Sequence, residues 1–178
     1  MQKVSLIFGL LAGILVSGFM ILFIVLWENT GKVIDNQLVG YAAMIIALSL
    51  IFFGIKSYRD QQQSGAIRFW KGAQVGLLIT LVASLMYATT WEAYNRLRPA
   101  SSAAFIDYYI ECQLNKQKEQ GASSAQIEQE IKKMDEMRVM YRNPVIRFGI
   151  TLMEILPVGI VITLISAAIL RKKQVLPA

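Results

Sequence analysis

Four stretches of this chain are nearly clear of charge, and the polar residues crowd together between them. Apolar side chains run almost unbroken through residues 4–27, 38–55, 72–91 and 146–170. A helix of about 20 mainly apolar residues crosses the hydrocarbon layer of a bilayer. A soluble helix that is apolar all round needs a large protein about it, which a chain of 178 residues cannot supply four times over. The pattern therefore predicts an all-α, integral membrane four-helix bundle, with residues 1–178 as a single membrane domain. The first run is too long for the core of a signal peptide, and it ends in bulky Leu26 and Trp27 where a cleavage site would need small residues. It is read as a retained helix.

Small residues recur every four positions inside these runs. Gly9, Gly13 and Ser17 mark the first, and Gly159, Thr163 and Ala167 the fourth. The third has the most regular stripe, Gly72, Gly76, Thr80, Ser84 and Ala88. Such stripes let membrane helices approach closely, within one bundle or between two copies. Residues 92–145 are predicted to form an extramembrane helical segment. SSAAFIDYYIECQL reads as a short amphipathic helix capped by Ser101 or Ser102, with Phe105, Ile106, Tyr109 and Ile110 on its apolar side. GASSAQIEQEIKKMDEMRVMYRNP reads as a second helix, with Gly121 before it and a capping box at Ser123 and Gln126. Its apolar side carries Ile127, Ile131, Met134 and Tyr141, and Asn143-Pro144 ends it. A hairpin lying on the bundle or membrane surface is expected, with a partner-docking module as the alternative.

Charge adds a topology signal. Lys3, Lys56, Arg59, Arg68, Lys71, Arg171, Lys172 and Lys173 flank span ends, and Asp60 is the one acid among them. The remaining segments are nearly balanced. Basic residues near span ends favour the cytoplasm, so both termini and the second loop are expected there, with residues 92–145 on the opposite side. The net charge of +6 is not read as nucleic-acid binding, because aromatic–basic interleaving and zinc-finger spacing are absent. The chain has no histidine and one cysteine, Cys112. That removes histidine acid–base chemistry, histidine metal sites and an intramolecular disulfide. There is no glycine-rich phosphate loop or CxxC. No catalytic, metal or cofactor site is expected, and the chain is read as a non-enzyme.

One ionisable side chain lies deep in a predicted span. Glu154 is roughly 12 Å into the fourth helix at 1.5 Å per residue. Such residues almost always face a bundle interior or a polar cavity. Pro157 leaves the Met153 carbonyl without its usual amide. Thr151 shares the side of the helix, and Arg147, two turns away, can reach down from the interface. Three readings stand for Glu154. It is a structural polar lock bonded to Thr80, Ser84 or another hydroxyl, a proton- or cation-handling group in a small transport site, or a contact with a partner membrane protein or lipid headgroup. Further candidates lie at the span ends: Trp27, Glu28, Lys56, Arg59, Asp60, Trp91 and Glu92. Trp27 and Trp91 suit the aromatic interface belt. Asp60 is expected to pair with Arg59 or Lys56, and Glu92 to lie in a wet loop. The runs WEN at Trp27 and WEAYN at Trp91 suggest a faint repeat of helical hairpins.

GYAAMIIALSLIFFGIKSYRD (residues 40–60), GLLITLVASLMYATTWE (76–92) and NPVIRFGITLMEILPVGIVITLISAAIL (143–170) together resemble an uncharacterised family of small bacterial membrane proteins, the domain of unknown function DUF4199. The resemblance runs over essentially the whole chain. It implies four membrane helices and a bacterial inner-membrane location, which places residues 92–145 in the periplasm. It supplies no reaction, ligand or partner. Lys56, Tyr58, Arg59, Asp60, Trp91, Glu92, Arg147, Glu154 and Pro157 fall inside the matching motifs. The expected role is that of an accessory or structural protein in the lipid bilayer, with a membrane-protein partner or a second copy as candidate contacts. A small transporter using Glu154 and a periplasmic partner-binding module on residues 92–145 are the alternatives.

Overall fold

Long apolar runs without an internal breaker fold as long helices, and the computed structural model contains seven among its described residues, 1–31 and 37–172. They are α1 (Gln2–Thr30), α2 (Gln37–Leu48), α3 (Leu50–Gln62), α4 (Phe69–Leu97), α5 (Pro99–Glu119), α6 (Ser124–Tyr141) and α7 (Pro144–Leu170). Four helical stretches are long and apolar enough to cross a membrane: α1, α2 with α3, α4, and α7. Lys32 and Asp35 of the first loop, and Lys173 of the C-terminal basic run, lie outside the described residues.

The helices outrun the apolar patterns that announce them. α3 continues through the polar KSYRDQQ run to Gln62 and stops where Ser64 and Gly65 take positive φ angles of 48° and 82°. α4 continues through Glu92 and Arg96 to Leu97, because nothing before Pro99 opposes helix. Arg98, the residue before that proline, turns to φ −135°, as a pre-proline residue must when its helical region is crowded. Pro99 itself starts α5 at a position that needs no amide. Ser101 and Ser102 therefore do not cap α5; they sit inside its first turn and bond elsewhere. The capping box at Ser123 and Gln126 is present, with both reciprocal bonds formed at 2.8 and 3.3 Å. Asn143 caps α7 through its side-chain oxygen, which accepts from Val145 N–H at 2.9 Å.

α4 is the hub, packing on α1, α3 and α7. Its small-residue stripe meets the stripe of α7 in register: Gly72 against Ala167, Gly76 against Thr163, and Thr80 against Gly159. The approach is close enough that a Cβ on Gly76 would lie 2.6 Å from Thr163 Cγ2. At the centre of that seam the Thr80 and Thr163 hydroxyls hydrogen-bond at 3.2 Å. On the other side of α4, Gly9 and Gly13 of α1 receive Val82 and Met86. Val16, Ile51, Ile55, Val75, Ile79, Ala83 and Ile155 fill the space between the spans.

Both described chain ends lie at one end of the bundle. The Met1 amine donates to Gln62 at 2.7 Å, and Ile67 exchanges backbone bonds with Lys172. The opposite end, called distal here, carries α5 and α6. These two pack loosely: α6 buries no residue. Phe105 and Ile106 are half-buried and Ile110 is buried, but Tyr109 and Ile131, expected on the apolar sides, are exposed. Cys112 is half-buried on α5.

Candidate functional site

The candidate residues fall into three places. The first is a charged and aromatic clasp at the distal end. Glu92, on the last turns of α4, takes both Arg147 Nε (2.9 Å) and Nη2 (2.7 Å) on one carboxylate oxygen, while Arg96 Nε reaches the other at 3.2 Å. Arg147 Nη1 donates to the Tyr141 carbonyl at 3.0 Å, so one guanidinium joins α4, α6 and α7. Its planar fork suits this, since Arg presents several donors in fixed directions. The two side chains are only 13% and 14% exposed. Glu92 is thus an interior partner and does not lie in a wet loop. Thr151 donates to the Arg147 carbonyl at 2.9 Å. Burial, reinforced by the nearby charge of Glu154, pushes the Tyr141 phenol above its ordinary range.

Glu28, at the end of α1, closes the same end from the other side. It accepts from Tyr94 Oη at 3.0 Å, from the Ser101 hydroxyl, and from Arg98 at 3.3 Å. Ser102 bonds Asn95, tying α5 to α4. Trp27 and Trp91 both pack edge-on against Phe105, with ring centroids 5.3 and 6.3 Å apart, and Trp91 stacks on Tyr94 at 5.8 Å. The WEN and WEAYN runs therefore meet across one aromatic ring of α5. Trp91 is buried, packed between Tyr94 and Phe105.

The second place is the terminal end. Lys56, Arg59 and Asp60 lie there, far from the clasp along the bundle. Arg59 Nε pairs with Asp60 at 2.7 Å.

The third is Glu154, and here the structure departs from expectation. α7 is one continuous helix through Pro157. Its buried side is Thr151, Ile155, Gly159, Thr163 and Ala167, facing α4, whereas Glu154 and Pro157 are exposed on the outside of the bundle. Thr80 bonds Thr163, and the Ser84 hydroxyl is buried without a partner among the described residues, so neither locks Glu154. The carboxyl lies near Tyr141 of α6, whose phenol feels its charge. Arg147, the cation two turns away, is committed to Glu92 and Tyr141. Sequence reasoning read Ser101 as a cap and Phe105 and Tyr141 as apolar-side residues, and did not join them or Tyr94 to Glu28, Trp91 and Arg147. Tyr94 carried a signal for the clasp, lying within a turn of Trp91 on the same helix.

The family model described as "protein of unknown function (DUF4199)" matches residues 7–172, and the chain belongs to this family of uncharacterised membrane proteins. No curated protein and no solved structure matches the chain.

Proposed function

We propose that this DUF4199 protein is a small accessory or structural component of a bacterial inner membrane, and that the outward face of α7 around Glu154 seats one transmembrane helix of a partner protein. The observation that carries this reading is the placement of Glu154 at span depth, outside the bundle, with its nearest helical cation already engaged. A charged side chain at the centre of an isolated span costs roughly 2.5–3.5 kcal/mol or more. A partner's Lys, Arg or amide donor at the same depth removes that cost. The surrounding surface supports a helix as occupant: Glu154, Pro157, Val161, Leu164 and Ala168 are all exposed and follow an alternating three-and-four spacing. That spacing is the seam of left-handed helix packing. The basic residues gathered at the terminal end support cytoplasmic termini with residues 92–145 in the periplasm. The reading assigns no catalysis and needs no cofactor.

Photo-crosslinking in native membranes tests it. A crosslinker at Val161 is expected to yield one discrete protein adduct, weakened when Glu154 becomes Ala, while a crosslinker at exposed Leu10 of α1 yields none. Lipid-only adducts from position 161 would sink the proposal. If flux across sealed vesicles disappears in E154Q while position 161 captures no protein, the carboxyl serves transport. Adducts from Lys132 on α6 alone would move the partner contact to residues 92–145.

A further inference from the structure

At the terminal end, basic side chains from three segments converge where the protein has almost no acid to meet them. Arg59 pairs with Asp60 at 2.7 Å, and Lys56 and Lys172 lie close enough to act on the same carboxylate. The antiparallel bridge between Ile67 and Lys172, with both N–H···O distances at 3.1 Å, holds the end of α7 against the turn before α4. Arg68 and Arg171 are the immediate neighbours of that bridge in sequence, and Lys71 follows in the first turn of α4. Asp60 is the only acid in residues 37–91, and residues 1–27 and 155–178 contain none. The cations therefore outnumber their protein partners, and Asp60 is itself taken by Arg59.

Their level relative to the spans says what else can neutralise them. α3 ends at Gln62, α4 begins at Phe69 and α7 ends at Leu170, so the cluster lies at the boundary between hydrocarbon and water. Trp70, 76% exposed between Arg68 and Lys71, projects from this level, where indole rings favour the headgroup layer. Phe53 and Ile169, three residues before Lys56 and Lys172 on the span side, are exposed and apolar, which offers acyl chains a surface that a free anion would not use. We infer that this end of the bundle binds the headgroup phosphate of an anionic phospholipid, with Lys56 and Lys172 as its principal contacts and Trp70 beside the glycerol.

The test titrates phosphatidylglycerol into the full-length protein purified in an uncharged detergent and follows its melting temperature. Phosphatidylcholine and inorganic phosphate are run at matched concentrations. Phosphatidylglycerol is expected to raise the melting temperature, and the other two to leave it unchanged. The double variant K56Q/K172Q should bind phosphatidylglycerol roughly thirtyfold more weakly, at about 1 kcal/mol for each surface base. K56R/K172R should bind as the natural protein does, which separates loss of charge from loss of fold. Native mass spectrometry of the same samples should find phosphatidylglycerol retained in the natural protein and depleted in K56Q/K172Q. An equal response to phosphatidylcholine, a rise with phosphate alone, or undiminished binding by K56Q/K172Q each overturns the inference.

Discussion

Arg147 makes the case for reasoning at the residue scale. Its guanidinium is nearly buried and holds Glu92 of α4 together with the last carbonyl of α6. Removing one member of a buried ion pair strands the other, at a cost of about 3–5 kcal/mol. R147A is therefore expected to lower the detergent melting temperature sharply. E92Q/R147M, which removes both charges, should recover much of the loss. R59A, at the exposed Arg59–Asp60 pair, is expected to leave the melting temperature unchanged, since water already screens such a pair. The sequence made Glu92 and Arg147 candidates singly, yet it could not join them. They are 55 positions apart, and the pairing follows only from how α4 and α7 align. The direction of Glu154 was hidden for a different reason. In a bilayer the outward face of a helix is as apolar as its packed face, so hydrophobic periodicity does not mark the inside.

For whole helices, small residues carried the information that hydropathy lacked. The stripes on α4 and α7 were visible in the sequence, and they are the surfaces that meet. Gly76→Val is expected to destabilise by about 1–3 kcal/mol or more, because its first side-chain atom would already overlap Thr163. Gly18→Val is the matched control, as an added Cβ there meets no other part of the described residues within 4 Å. Folded yield after size-exclusion chromatography reads both, and equal yields would contradict the seam described. Helix ends were less legible. KSYRDQQ and EAYNRL read as loop by hydropathy, but their residues form helix readily and contain no breaker. The helix therefore continues until positive-φ Ser64 or Pro99 stops it.

Taken whole, the molecule is a four-span bundle with one elaborated end, and its orientation is open to direct measurement. In a Cys112→Ser background, Gln120→Cys should react with a membrane-impermeant maleimide on intact spheroplasts, and Gln62→Cys only after lysis. The reverse pattern would invert the proposed topology. The hub position of α4 has a consequence for how the chain is made. The glycines and hydroxyls that let α4 touch all three other spans also leave it the least apolar of the four. It leaves the ribosome long before α7, carrying a carboxylate that has only the exposed Arg96 of its own helix until Arg147 is translated, and a polar stripe whose partner stripe is still missing. Until α7 arrives, only α1 and α3 can shield it from lipid. Biogenesis is thus the moment of greatest exposure for this protein, and a chain truncated before residue 144 should be the form that membrane quality-control proteases remove first.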